Sequence, residues 1–152
     1  MVKYIPIFIL IIILIISVYH FFFNNPSLSS AKVNLKGHTY TLEIAKTVPQ
    51  QTKGLMDRSS LCRNCGMIFV FGLDLPQVFW MKDTLIPLDM IFADHTGLIV
   101  NTITANPQPG VPDSQLKLYQ SLKPAKFVIE LNAGDANKLS LKPGDTIDLS
   151  QF

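Results

Sequence analysis

The sequence contains little charge, and that charge is nearly balanced. Only 16% of the 152 residues are charged, and 13 lysines and arginines against 11 aspartates and glutamates leave a formal net charge of +2. A protein that binds nucleic acid normally carries a clustered basic face. The composition therefore argues against a nucleic-acid partner.

The sequence also lacks the short motifs of several common enzyme classes. It has no glycine-rich loop of the kind that cradles phosphates, no internal repeat and no low-complexity tract. No Ser/His/Asp or Cys/His order typical of nucleophilic catalysis stands out around its three histidines. We therefore predict no cofactor, and the sequence alone indicates neither a reaction nor a protein partner.

What the sequence does contain is one long hydrophobic run, from Tyr4 to Phe23, in which only His20 and two tyrosines are ionisable. At about 1.5 Å per helical residue, such a run extends for roughly 30 Å, which is the thickness of the hydrocarbon core of a bilayer. Aromatic residues stand at both ends, as they do at membrane interfaces. We predict a transmembrane helix within residues 1–23 that contacts the membrane through residues 4–23.

This run favours an uncleaved signal anchor over a cleaved signal peptide. A signal peptide has an apolar region of about 7–15 residues before its cleavage site, and this run is longer. Cleavage near Ser29-Ser30-Ala31, followed by secretion, is the less favoured alternative. We expect a single-pass protein with its C-terminal domain on the extracytoplasmic side, a polar linker over residues 24–31, and one domain over residues 32–152.

The domain shows the period-two alternation of β-strands. Val33 and Leu35, followed after a Lys-Gly turn by Tyr40, Leu42 and Ile44, predict a hairpin. Further strands are predicted over residues 66–71, 78–81, 88–92, 98–103, 127–131 and 146–149, and short helices near residues 49–56 and 134–139. This pattern predicts a mostly-β (β-rich α+β) fold, a small barrel-like or sandwich domain with one or two short helices.

The two cysteines, Cys62 and Cys65, form a C-x-x-C pair. Outside the cytoplasm such thiols tend to oxidise, so a disulfide that staples a small loop is one interpretation. A metal site is a weaker one, because zinc requires four ligands and only His38 and His95 remain in the domain to complete the set. A thioredoxin-like site is disfavoured because the pair precedes an apolar strand.

Several ionisable residues lie within the most apolar of the predicted strands. Asp89 lies within the segment Leu88 to Phe92, and Glu130 lies between Ile129 and Leu131. Carboxylates in such surroundings are costly unless they are paired or hydrogen-bonded. Arg58 is the natural partner, because its guanidinium can hold a carboxylate in bidentate fashion. The candidate pocket combines these residues with their neighbours Trp80, Lys82, Asp83 and Thr84.

Three interpretations of this set remain open. Arg58, Asp89 and Glu130 form an internal ion-pair network, or the set lines a polar pocket for an anionic or polyhydroxylated ligand. Alternatively, Asp89 and Glu130 are the acid–base pair of a hydrolase that acts on envelope carbohydrate or peptide. The binding interpretation predicts that several of these residues meet at one concavity beside Trp80, whereas the hydrolase requires two acids that face an open cleft.

Four ordered stretches strongly resemble domain-of-unknown-function family 192. They are Gly54-Leu55-Met56-Asp57-Arg58, the run Gly66 to Phe71, Phe79-Trp80-Met81-Lys82-Asp83-Thr84 with Pro87-Leu88-Asp89, and the run Val128 to Gly134. The resemblance spans about residues 33–149 and implies a compact, mostly-β fold, often behind a signal peptide or membrane anchor.

No biochemical activity is established for that family, so the resemblance implies fold and export without a reaction. This chain departs from the family pattern in two places. Asp83 stands where the family commonly has Asn, and Cys62 and Cys65 lie in a connector that usually has no cysteine. We expect a membrane-anchored binding or accessory module for a small-molecule or envelope ligand, with the hydrolase and the metal-binding protein as alternatives.

Overall fold

The computed structural model describes residues 9–16 and 28–152 of the chain. Residues 9–16, within the predicted anchor, are helical. The remaining parts of that anchor, residues 4–8 and 17–23, and residues 24–27 of the predicted linker lie outside the described residues. Among the described residues, no helix is both long enough and apolar enough to cross a membrane.

Most of the domain is β-structure, as the alternation predicts. Its strands are β1 (Ser30–Leu35), β2 (His38–Ala45), β3 (Cys65–Leu75), β4 (Val78–Phe79), β5 (Leu88–Ala93), β6 (Ile99–Ala105), β7 (Tyr119–Gln120) and β8 (Ala125–Asn132). Two short α-helices, α1 (Val48–Lys53) and α2 (Asp135–Lys138), and one 3-10 turn, Asp113–Gln115, complete the elements over residues 28–152.

Six strands form one mixed sheet in the order β1-β2-β3-β8-β5-β6. Strands β2 and β3 run parallel, and the other neighbours in this sheet run antiparallel. A parallel pair requires a crossover connection, and α1 lies on it. Strand β8, the last strand of the described residues, lies in the middle of the sheet, between β3 and β5.

Strands β1 and β2 form the predicted hairpin, whose turn places Lys36 and Gly37 at φ of 50° and 87°. Two consecutive positive φ values are the geometry that matches the twist of a tight hairpin. The first strand begins at Ser30, two residues inside the predicted linker, because Ser30 and Ala31 pair with Glu43 and Leu42. Folded structure thus starts earlier than composition indicates.

Helix α1 forms where proline and a capping signal coincide. Thr47 accepts a hydrogen bond from the Gln50 amide, and the Gln50 side chain accepts one from the Thr47 amide, which is a capping box. Pro49 lies in the first turn, where its missing N–H is not needed. The helix ends at Gly54, whose φ is 46°.

The central strands are buried on both faces. All six residues of β5 are buried, and so are Phe127 to Leu131 in β8. One face packs against α2 and the C-terminal segment through residues such as Ile91 and Ile129. The opposite face packs against the loops around Leu55 and Met81. The sheet therefore separates two apolar layers.

The sheet is open, so the barrel-like alternative is wrong. Its edges are β1 and β6, and the second sheet, β4 with β7, has only two strands. The predicted strand over residues 146–149 is reduced to one bridge, Leu98 to Thr146. That segment serves instead as apolar cover, since Ile147 and Leu149 are buried in the layer that includes α2.

The hairpin between β5 and β6 provides a test of this arrangement. Gly97 has a φ of +81°, and a Cβ built on it would lie 2.0 Å from the carbonyl oxygen of Ile147. Gly110 has a similar φ of +73° but no atom within 4 Å of its hypothetical Cβ. An alanine at either site would incur about 1–2 kcal/mol of strain from the left-handed backbone conformation. Only an alanine at position 97 would also clash with a neighbouring atom.

We expect Gly97→Ala to lower the free energy of unfolding by at least about 2 kcal/mol more than the control Gly110→Ala. Urea unfolding followed by circular dichroism measures the difference. Equal losses in the two variants would contradict the close packing of the C-terminal segment on this hairpin.

Candidate functional site

A cavity of about 440 Å³ opens on the face of the sheet that packs against Leu55 and Met81. Its aromatic walls come from Phe69 and Phe71 on β3, Phe79 on β4, and Trp80 directly after β4. Glu130 on β8 is the acidic residue that lines it. We call it the Glu130 cavity. Its volume lies within the range of about 300–1,000 Å³ typical of small-molecule sites.

Sheet register determines the surroundings of Glu130. It is paired with Met67 on β3 and with Met90 on β5, and both methionines are fully buried. Cross-strand neighbours present their side chains to the same face. The carboxyl group therefore emerges from the middle of the sheet between two thioether side chains.

Glu130 is a buried residue whose carboxyl group has no hydrogen-bond partner among the described residues. The residue retains 4% of its surface, and burial is the sole cause acting on its acidity, with no hydrogen bond from the described residues. Burial raises the pKa of Glu130 from 4.5 to about 8, because a low-dielectric setting disfavours the charged form. At neutral pH the group is mainly a carboxylic acid.

A second carboxylate on the same face is paired. Glu43 on β2 is in register with Met67, two strands away from Glu130. The two terminal guanidinium nitrogens of Arg58 each donate a hydrogen bond to one carboxylate oxygen of Glu43, at 2.6 Å. These bonds raise the pKa of Arg58. The prediction that Arg58 pairs with Asp89 or Glu130 is therefore wrong. Its ion pair with Glu43 borders a separate surface depression.

Asp89 faces the other apolar layer. It is paired with Leu131, one residue along β8 from Glu130, so the two acids point to opposite faces. The Thr104 hydroxyl donates to Asp89 at 2.7 Å and the Ala136 amide at 2.9 Å. Asp89 thus anchors the start of α2. The pair proposed for a hydrolase cannot flank one bond, because the sheet lies between its members.

The Trp80 to Thr84 segment divides between two depressions. Trp80 and Thr84 line the Glu130 cavity, while Lys82, Asp83 and Thr84 line a neighbouring one. Lys82 forms an ion pair with Asp113, and its Nζ lies 5.8 Å from the centre of the Trp80 ring. The Asp83 carbonyl accepts a hydrogen bond from the Asp57 amide at 2.8 Å, which ties this loop to the turn after α1.

The candidate set is therefore brought together only in part. Trp80, Thr84 and Glu130 share one cavity, whereas Arg58, Lys82, Asp83 and Asp89 do not line it. The sequence interpretation missed Glu43, which looked like the solvent-facing residue of a hairpin. It also missed the wall formed by Phe69, Phe71 and Phe79. Their aromatic character inside predicted strands was visible, but it is equally typical of core packing.

Cys62 and Cys65 are joined by a disulfide. The disulfide supports the loop-staple interpretation, and its sulfurs are not free thiolates for zinc. The Asn132 amide donates to the Cys62 carbonyl at 3.1 Å, which attaches the stapled loop to the end of β8. Across residues 9–16 and 28–152, no group of three or more His, Cys, Asp or Glu side chains could hold a metal ion.

A match to a family model shows which protein family the chain belongs to. The model of domain-of-unknown-function family 192, described as an uncharacterized ACR, matches residues 31–149. The chain belongs to family 192. The resemblance found in the four sequence stretches is thereby confirmed.

Two crystal structures are similar to the family 192 domain. A candidate transcription regulator from Sinorhizobium meliloti 1021 is 31% identical with a TM-score of 0.71, and the match covers 82% of this chain and 97% of that one. A protein of unknown function from Novosphingobium aromaticivorans DSM 12444 is 33% identical with a TM-score of 0.71, covering 82% and 89%. No curated protein matches the chain.

All four stretches that carry the family 192 resemblance contribute to the Glu130 cavity. The first supplies Gly54, Leu55 and Met56, and the second supplies Phe69 and Phe71. The third supplies Phe79, Trp80 and Thr84, and the fourth supplies Glu130. These segments are far apart in sequence, and the fold assembles them around one concave surface.

The unpaired acid generates a prediction about stability. Its pKa is about 8 in the folded protein and is near 4.5 in the unfolded chain, so unfolding releases a proton between these pH values. The contribution of Glu130 to the free energy of unfolding therefore declines as pH rises from about 4.5 to 8. Glu130→Gln removes the titration. Relative to wild type, the variant should gain on the order of 5 kcal/mol between pH 4 and pH 9.

Urea unfolding at several pH values measures this gain. Asp148→Asn is the matched control, because Asp148 is exposed and hydrogen bonds from Ser150 lower its pKa. Its effect should be constant above pH 5. Parallel pH profiles for Glu130→Gln and wild type would show that Glu130 ionises freely in the folded protein.

Proposed function

We propose that the domain is a small-molecule binding module whose ligand site is the Glu130 cavity. One observation carries this proposal: Glu130, a buried residue whose carboxyl group has no hydrogen-bond partner among the described residues, lines an open cavity with aromatic walls. A ligand that offers a hydrogen bond or a positive charge to this carboxyl group supplies an interaction that the described residues do not provide.

The walls suggest the shape of the ligand. Phe79 makes edge-to-face contacts with Phe69 at 4.9 Å, with Phe71 at 6.3 Å and with Phe92 at 5.9 Å between ring centres. These contacts hold the rings in fixed orientations. The ligand therefore presents a compact apolar surface to the rings and one polar group to Glu130. Trp80, 41% exposed, stands at the rim.

We further propose that residues 4–23 anchor the module in a membrane and that the domain faces the extracytoplasmic side. The hydrophobic run of about 20 residues supports an anchor. The disulfide between Cys62 and Cys65 supports an oxidising compartment, since cytosolic thiols are kept reduced. The module then binds its ligand next to the membrane surface.

Ligand binding can be followed without a label, because Trp80 is the only tryptophan in the chain and lines the cavity. Full-length protein in phosphatidylglycerol nanodiscs should show a change in tryptophan emission with at least one member of a library of small apolar compounds. The same compound should raise the melting temperature by mass action.

The substitution Phe79→Ala, which removes one cavity wall, should abolish the response to that compound. Leu122→Ala is the matched control, because Leu122 is 79% exposed and does not line the cavity. Hits that bind equally well to Phe79→Ala, or a library without hits, would contradict the assigned site.

The location is tested by topology reporters. Alkaline phosphatase fused after Phe152 should be active in a bacterial host, because this enzyme needs an oxidising compartment. Deletion of residues 1–27 should abolish that activity and move the fusion from the membrane fraction to the soluble fraction. An active fusion without residues 1–27, or an inactive full-length fusion, would contradict the proposed anchor and orientation.

A further inference from the structure

We propose that the ligand of the Glu130 cavity is a small organic ammonium ion whose positive charge pairs with the Glu130 carboxylate. This inference rests on the proposed function and specifies its ligand class. It follows from three features of the cavity, which are its charge, its walls and its size.

The first feature is an acidic group that no cationic side chain of the described residues pairs with. Two ionisable residues line the cavity, Glu130 and Lys53. Lys53 is half-exposed and forms an ion pair with Asp57, four residues further along the chain. The neighbours of Glu130 on β3 and β5 are Met67 and Met90, which carry no charge. The guanidinium of Arg58 is already held by Glu43. Both nearby cations therefore already have carboxylate partners, and the cation that we propose for Glu130 belongs to the ligand.

The second feature is the aromatic wall. The face of an aromatic ring attracts a cation within about 6 Å of its centre, and tryptophan does so most strongly. Trp80 already shows this behaviour at the rim, where the Lys82 Nζ lies 5.8 Å from its ring centre. Phe69, Phe71 and Phe79 present further rings to the interior. Aromatic rings around one acid are the combination by which proteins bind alkylated ammonium groups.

The third feature excludes the other common cations. A metal ion requires several oxygen, nitrogen or sulfur ligands, and no suitable group of three acids, histidines or cysteines occurs among the described residues. A cavity of about 440 Å³ is also far larger than a bare ion. An alkylated ammonium ion fits better, because its apolar substituents fill space against the rings while its charge needs only one carboxylate.

Binding of such an ion is coupled to proton release. The empty site holds Glu130 as a carboxylic acid at neutral pH, since burial raises its pKa to about 8. Pairing requires the carboxylate, so the O–H bond of the acid breaks and one proton passes to the solvent for each ammonium ion bound. Affinity must therefore rise with pH until Glu130 is ionised in the empty protein.

Choline and its uncharged carbon isostere, 3,3-dimethyl-1-butanol, are the matched probes. Full-length protein in phosphatidylglycerol nanodiscs is titrated with each at pH 6 and pH 8.5, using Trp80 emission and calorimetry, with empty nanodiscs as the blank. We expect choline to bind at least tenfold more tightly at pH 8.5 and to release about one proton at pH 6. The alcohol should bind with the same affinity at both pH values.

Variants assign the effect to the carboxyl group. Glu130→Gln keeps the size of the side chain, so it should lose choline binding and retain binding of the alcohol. Asp148→Asn removes an exposed charge outside the cavity, and it should leave both affinities unchanged. Circular dichroism verifies that each variant is folded.

The outcomes separate this inference from the proposed function. Binding of the alcohol but not of choline overturns the ammonium ion and leaves the binding module intact. Equal choline affinity at the two pH values, or in Glu130→Gln, also overturns it. If neither probe binds, the ammonium ion is ruled out as the ligand class. The binding module itself is tested separately, by the library screen with Phe79→Ala and Leu122→Ala.

Discussion

A sheet covered on both sides imposes one constraint on every residue of its central strands. Side chains alternate between the two faces, so each position in β5 and β8 must enter one of two apolar layers. A polar side chain there either finds a partner in its own layer or stays unsatisfied. Asp89 finds Thr104 and the amide of Ala136, whereas Glu130 finds none among the described residues. This difference separates a structural acid from a candidate binding group.

The contrast between Glu43 and Glu130 leads to the same conclusion. Both belong to one row across the sheet, in register through Met67. Glu43 lies on the outer hairpin, is half-buried, and forms an ion pair with the guanidinium of Arg58. Glu130 lies in the middle of the sheet, with methionines on both sides. If the acids served only to stabilise the domain, an apolar residue at position 130 would serve better. Its environment is therefore consistent with the proposed ligand site.

Local signals were sufficient to predict most of the secondary structure. The β1–β2 hairpin, helix α1 and strand β8 follow from alternation, proline and glycine within short windows. The ionic partners did not follow, because they depend on strand order. Arg58 lies in the crossover connection between β2 and β3 and folds back onto Glu43 of β2, and Asp89 and Ala136 are 47 positions apart. An open sheet and a closed barrel likewise share the same local pattern, so the barrel error arose from pairing at the edges.

The position of β8 also has a consequence for substitutions. Its odd-numbered residues Phe127, Ile129 and Leu131 serve one layer, while Val128 and Glu130 serve the other. Glu130 is the residue of β8 that lines the cavity. A substitution at position 130 would therefore alter the proposed ligand site while leaving untouched the layer that the neighbouring residues Ile129 and Leu131 fill.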